Sequence, residues 1–159
     1  VILRPATRAD AAAMTALLNR IIAIGGTTAH EQPFSEAAVI AHYIEGDEPI
    51  CCHVAEDPAG LIGFQCVGNN AALPTGWGDI GTFVDPSRQR SGAGAALFAA
   101  TVPTARAAGL RVLNATIRAD NRPGLGYYAR RGFVDYTEDP DFRLKSGARV
   151  GRVSRRFDL

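Results

Sequence analysis

Between Trp77 and Ala108 one strand is handed directly to one helix, and this junction limits the folds open to the chain more than any other stretch. Trp77–Val84 is strand-like and stops at Asp85-Pro86, because proline cannot donate to a sheet ladder. The loop Ser87-Arg88-Gln89-Arg90-Ser91 follows, and Gly92-Ala93-Gly94-Ala95 opens an alanine-rich helix over about residues 92–108. Pro103 lies inside it and is expected to kink or restart it. A helix start exposes N–H groups without intrahelical partners at the positive end of the macrodipole. Small residues there let an anion approach the backbone, and Arg88 and Arg90 add positive charge. The junction therefore reads as a pyrophosphate cradle. Neither a GxxxxGK[ST] run nor an early GxGxxG is present, which argues against a P-loop hydrolase and a Rossmann site.

Hydrophobic spacing supplies the remaining elements. Ile2-Leu3-Arg4 reads as a strand. Thr7 and Asp10 resemble a capping box. Met14, Leu17, Leu18, Ile21 and Ile22 recur at helical spacing over 9–24, before Gly25-Gly26. Ser35-Glu36 starts a second helix that ends near Gly46. Cys52–Glu56 and Leu61–Val67 read as a hairpin around Asp57–Gly60. Arg111–Ile117 is a strand, Asn121–Arg131 a short helix, and strands begin at Phe133 and Arg149. The order β-α-α-β-β-β-α-β-α-β-β predicts one α+β domain over residues 1–159, with a mixed, mostly antiparallel sheet flanked by helices.

Composition narrows the function. Residues 1–87 hold ten acidic and three basic groups, and residues 88–159 hold fourteen basic and six acidic. This suits a cationic partner for the first half and an anionic ligand for the second. Three cysteines without CxxC spacing argue against a zinc site and a disulfide framework. They are expected as small buried hydrophobes in a reducing cytoplasm. The opening Val1–Pro5 has no signal-peptide layout, and no stretch is apolar enough for a membrane span. His30, His42 and His53 lack metal-ligand spacing, so no metal is expected. Arg149, Arg152, Arg155 and Arg156 alternate with Val150 and Val153, which suggests a solvated strand face rather than a nucleic-acid patch.

The pattern Gln89-x-x-Gly92-x-Gly94, after a strand and Val84-Asp85-Pro86, resembles the acetyl-CoA signature of the GNAT superfamily of N-acetyltransferases. Asn121 to Phe133 is similar to that family's Asn-x-x-Ala-x-x-x-Tyr-x-x-x-Gly-Phe, with Gly124 in place of the alanine and Tyr128 at the tyrosine. The resemblance implies a GNAT-like acyl-CoA N-acyltransferase fold and acetyl-CoA as co-substrate. It places Phe83, Val84, Gln89, Arg90, Ser91, Gly92, Ala93, Gly94, Ala95, Asn121 and Tyr128 against that ligand, and it implies a homodimer. Gly25 to Phe34 resembles the substrate loop of phosphinothricin-type and amino-acid N-acetyltransferases. That subgroup carries a carboxylate, usually Glu, on the strand before the CoA loop, and the matching position here is Asp79.

Amine chemistry gives these residues tasks. An amine of pKa about 10.4 is only ~0.04% neutral at pH 7, and only the neutral form attacks a thioester. Asp79 is the first candidate base and Glu31, in the substrate loop, the second. A backbone N–H near Phe83 or Val84 is the candidate donor to the developing oxyanion. Tyr128 is the candidate acid for the departing thiolate, Tyr127 a packing residue, and Asn121 a helix cap that can also meet the pantetheine arm. His30 is the one histidine placed for a role in the substrate loop. The expected activity is acetyl transfer by direct attack of a small-molecule primary amine, an amino acid or phosphinothricin-like compound. The alternatives are a protein or peptide N-acetyltransferase and a non-catalytic acyl-CoA-binding module. Nucleic acid and membrane are not expected partners. The cradle gives a direct prediction. Gly92→Glu puts a charged side chain in the phosphate site and should abolish CoA binding measured by titration calorimetry; normal binding would remove the assignment.

Overall fold

The structure is a computed structural model describing residues 1–159. The elements are β1 (Ile2–Pro5), α1 (Ala11–Ile24), α2 (Glu36–Val39), β2 (Pro49–Asp57), β3 (Gly60–Gly68), β4 (Trp77–Val84), α3 (Ala93–Ala107), β5 (Val112–Arg118), α4 (Arg122–Arg130), β6 (Val134–Asp139) and β7 (Arg152–Asp158). They follow the order expected from the sequence. One seven-stranded sheet runs β1-β2-β3-β4-β5-β7-β6. Every neighbouring pair is antiparallel except β4–β5, which is parallel. The fold class is α+β with a mixed, mostly antiparallel sheet, as predicted.

Local chemistry sets the element ends. Asp10 accepts the Thr7 N–H at 2.8 Å, which secures the helical turn leading into α1. Arg4 ties that carboxylate and Glu56 together, each at 2.8 Å, and so binds β1 to the helix start and to β2. Gly25, at φ 76°, takes the backbone where a side chain is disfavoured and ends α1. Ser35 Oγ accepts the Ala38 N–H at 3.1 Å and caps α2. Beyond α2 the turn widens to a π segment, Ile40–Ile44. The core is split by the sheet. Met14, Leu17, Leu18, Val39 and Tyr43 pack on Val54 and Phe64. On the opposite side Phe98 and Ala105 of α3 and Tyr128 of α4 pack with Leu113, Ala115 and Ile117 of β5.

Three expectations change. α3 runs unbroken through Pro103. The hydrogen bond that proline forgoes would have gone to the carbonyl of exposed Ala99, while buried Leu97, Phe98, Thr101 and Ala105 keep the helix on the sheet. Cys52 and Cys66 are not separate thiols. They stand opposite each other across β2–β3, Cα atoms 4.1 Å apart, and are paired, leaving Cys51 free. Counting cysteines cannot reveal a cross-strand register. Arg155 is not on a solvated face either: it pairs with Asp135 at 2.5 Å and donates to the Leu125 carbonyl at 2.6 Å, which fastens β7 to β6 and α4.

The feature that makes the site is the short β4–β5 pairing. Only Trp77, Gly78 and Asp79 pair with Val112, Leu113 and Asn114. β4 continues to Val84 paired to β3 alone, so the two parallel strands part. Gly63 allows β3 to follow β4 closely at the far end: a Cβ there would lie 2.6 Å from the Phe83 carbonyl oxygen. Gly63→Ala should therefore cost about 1–3 kcal/mol of stability, read from urea unfolding; an unchanged midpoint would show that β3 and β4 are not held that tightly.

Candidate active site

The open end of the parted strands meets the start of α3. Gly92 adopts φ 84° and Arg90 φ 71°, a tight loop that turns β4 into the helix. The Ala93 N–H reaches Ser91 Oγ at 3.3 Å, and the first helical bond runs from Ala96 to the Gly92 carbonyl. The N–H groups of Gly92, Gly94 and Ala95 donate to no protein acceptor. Free N–H groups at a helix start are the geometry that suits an anion.

The small residues there have different reasons. The Ala93 methyl is buried with Ala55, Ile62 and Leu97, so its size serves the core. A Cβ on Gly94 would lie 2.8 Å from the Tyr127 ring, so its size admits that ring. Gly92 supplies the positive φ. Of the two loop arginines, Arg88 pairs with Asp57, and its charge is spent holding the loop to the hairpin turn. Arg90, Gln89, Ser91 and Ala95 are exposed beside the free amides.

Register decides which β4 amide faces the gap. The Asp85 N–H donates to the Ile62 carbonyl at 2.8 Å, and the ladder runs without a bulge from Gly63↔Val84 to Gly68↔Asp79. Alternate residues of an antiparallel strand turn toward the same neighbour. Phe83 and Gly81 therefore share the Asp85 orientation and serve β3. Thr82 and Val84 turn their N–H groups toward β5, where pairing has ended. Of the two candidates for the oxyanion donor, Val84 has the free N–H. Phe83 contributes its ring, stacked on Phe64 at 4.9 Å.

Behind the gap lies a buried polar network that the sequence reading missed. Gln65 Nε2 donates to Thr82 Oγ1 at 2.9 Å and to the Tyr127 hydroxyl at 3.0 Å. The Tyr127 hydroxyl donates to the Gly94 carbonyl at 2.7 Å. Thr82 Oγ1 is 2.8 Å from the Tyr128 hydroxyl. Burial holds the Tyr128 phenol well above its ordinary pKa; the Thr82 hydrogen bond works the other way, and nearby Tyr127 and Asp79 add to the upward shift. Tyr128 thus keeps its proton at neutral pH. Tyr127 is more than packing, since its hydroxyl ties α4 to the first turn of α3. The one sequence signal for Gln65 was a polar residue inside an apolar strand.

On the other side of the sheet a cavity of about 510 Å³ opens at the point where β4 and β5 part. Its lining includes His30, His42, Tyr43, Glu48, Asp79 and Phe83. Asp79 Oδ1 accepts from Asn114 Nδ2 at 2.9 Å and Oδ2 from Asn70 Nδ2 at 3.2 Å. His42 Nδ1 meets Glu48 Oε1 at 2.7 Å. Burial, then His42 and Lys145, push the His30 imidazole below its ordinary pKa. No lysine or arginine lines this cavity.

The loop over the cavity is pinned. Asn19 clamps both backbone groups of Phe34, at 2.8 and 2.9 Å. Arg118 donates to the Thr28 carbonyl at 3.0 Å. Asn121 caps α4 through the Gly124 N–H at 3.0 Å and spends its amide on the Thr27 carbonyl at 3.1 Å. A Cβ on residue 124 would lie 2.4 Å from Asn121 Nδ2, which accounts for glycine there. Glu31 does not join Asp79. It accepts the Ser146 N–H at 2.8 Å, and the Ser146 hydroxyl first and this N–H second hold its pKa below the ordinary value. It lines a neighbouring cavity of about 750 Å³ with Lys145, and His30 borders both spaces.

A sequence model described as "Acetyltransferase (GNAT) family" matches residues 15–133. A phosphinothricin acetyltransferase from Sinorhizobium meliloti, solved in complex with acetyl-CoA, is 22% identical over 99% of this chain and 88% of its own, with a TM-score of 0.84. A ribosomal-protein-alanine N-acetyltransferase from Brucella melitensis is 19% identical over 100% of both chains, with a TM-score of 0.84. An N-acetyltransferase from Staphylococcus aureus Mu50 is 20% identical over 99% of this chain and 97% of its own, with a TM-score of 0.85. At such identities the likeness establishes the fold, and it is equal for enzymes named for a small molecule and for a protein. No curated protein matches.

Proposed function

The chain belongs to the GNAT acetyltransferase family and is an acetyl-CoA-dependent N-acetyltransferase, and from that premise we propose that it acetylates the primary amine of a small molecule by direct attack. One observation carries the reading: the gap between β4 and β5 has Asp79 at its closed end and the free amides of Gly92, Gly94 and Ala95 at its open end. The amides fit a diphosphate, and acetyl-CoA brings the thioester that supplies the acetyl group.

Each side chain then has a task. Asp79, which forms no ion pair, takes the proton from the ammonium acceptor. The Val84 N–H is the donor for negative charge on the carbonyl oxygen. Tyr128, protonated at neutral pH, gives its proton to the thiolate. Glu31 is left out of the chemistry, because its carboxylate fastens the substrate loop to Ser146.

The pinned loop over residues 25–34 supports a small acceptor over a threaded peptide. An amino acid or phosphinothricin-like compound needs a cation for its anionic end. The cavity around Asp79 has no lysine or arginine, and the neighbouring one has Lys145. We place the amine at Asp79 and the anionic end toward Lys145. The strand β6 lies at the sheet edge with Val134 and Tyr136 exposed, which supports the expected homodimer.

Tyr128→Phe should lower kcat by about 10²-fold or more while acetyl-CoA affinity stays nearly constant, measured by thiol release and calorimetry. An unchanged kcat would take the acid role from Tyr128. Lys145→Gln should raise KM for amino-acid acceptors by about tenfold without changing KM for acetyl-CoA. Preference for N-terminal peptides over free amino acids in the same assay would favour the protein-acetylating alternative.

A further inference from the structure

Asp79 is held from behind by a chain of two hydrogen bonds that begins on the outermost strand. Tyr136 of β6 donates its hydroxyl to Asn114 Oδ1 at 2.5 Å. Asn114 Nδ2 donates to Asp79 Oδ1 at 2.9 Å and to Thr116 Oγ1 at 3.0 Å. Asn114 is 2% exposed, and every polar atom of its side chain has a partner. The amide orientation follows from charge. A carboxylate is acceptor-only, so the NH₂ side must face Asp79 and the oxygen must face Tyr136. Tyr136 in turn must donate, because an amide oxygen cannot. Its ring is set edge-on against Trp77, centroids 5.5 Å apart, and the Arg156 guanidinium lies over the Trp77 ring at 4.9 Å.

From this geometry we infer that Asn114 and Tyr136 are positioning residues for the base: Tyr136 locks the Asn114 amide, and Asn114 holds the Asp79 carboxylate in the gap. The inference rests on Asp79 being the base. A hydrogen bond donated to a carboxylate favours its charged form. Weakening the chain therefore makes Asp79 easier to protonate and moves the acid limb of the rate profile to higher pH. The other titratable groups around the cavity are His30, His42, Tyr43 and Glu48, with Tyr128 beyond the strand. None of them hydrogen-bonds to Asp79.

Two variants with a reference test this. Tyr136→Phe keeps the ring on Trp77 and removes the donor. Asn114→Asp keeps the shape and puts a second carboxylate beside the first, which disfavours ionisation further. Expected is a fall in kcat of roughly three- to tenfold for Tyr136→Phe, the range that one hydrogen bond between neutral groups supplies. Its acid limb should shift upward, and that of Asn114→Asp should shift more. KM for acetyl-CoA should not change, and thermal melting confirms that each variant is folded. Wild-type kcat and an unmoved limb in folded Tyr136→Phe would overturn the inference. Asp79→Asn is the reference. If it is inactive while Tyr136→Phe is normal, the positioning role alone falls. If it is as active as the wild type, the base reading falls and takes the positioning role with it.

Discussion

The parting of β4 from β5 is the constraint on which the rest of the structure depends. The two strands share three paired residues and then separate, while β4 stays in register with β3 to Val84. A parallel pair that continued would consume the N–H groups of Thr82 and Val84 in the ladder. Parting leaves those groups in a gap, where only a ligand or water can meet them. Asp79 is the last paired residue, so a side chain placed there stands where the gap begins. The helix start at Gly92 stands at the open end. The Asp79 carboxylate, the free Val84 amide and the free amides of α3 thus lie along one strand and its exit loop.

The framework behind the gap is polar and buried. Gln65, fully buried on β3, holds Thr82 on β4 and Tyr127 on α4, and Tyr127 holds the Gly94 carbonyl in the first turn of α3. Three elements are therefore referenced to one amide. Such a network specifies geometry only when its members find partners, since an unmet buried polar atom costs about 1–3 kcal/mol. Gln65 Oε1 has no partner. The network gives up that energy at one atom and in return sets Tyr128 beside Thr82 with its proton retained.

The charges are sorted more finely than the two halves of the chain imply. The acidic first half supplies Glu48 to the cavity beside Asp79, but Asp57 and Asp85 neutralise Arg88 and Arg20 around the β4 exit. The basic second half spends Arg118, Arg155 and Arg156 on nearby carboxylates and carbonyls. Arg90 beside the free amides of α3 and Lys145 in the neighbouring cavity are among the cations left without a carboxylate partner. Charge near the reaction is thus set by which groups are left over after the framework is tied.

Element order was legible because hydrophobic period, capping residues and glycine or proline stops are local signals. Trp77–Val84 was bounded by its apolar run and Asp85-Pro86, and Asn121 by its helix-capping chemistry. The helix start after Gln89 and the family motif at Asn121 and Tyr128 were legible, since a helix start and a fixed spacing are written in consecutive residues. The pairing of Cys52 with Cys66, the role of Gln65 and the bond from Ser146 to Glu31 were not. Each depends on residues 14 to 115 positions apart. The chain by itself determined which segments form strands and helices and which helix starts on small residues. Tertiary structure alone decided that β4 leaves β5 after Asp79, that Val84 rather than Phe83 has the free amide, and that Asn114 and Tyr136 stand behind the carboxylate. Those outcomes are matters of register between strands, and register is fixed by contacts across the sheet, which no single segment contains.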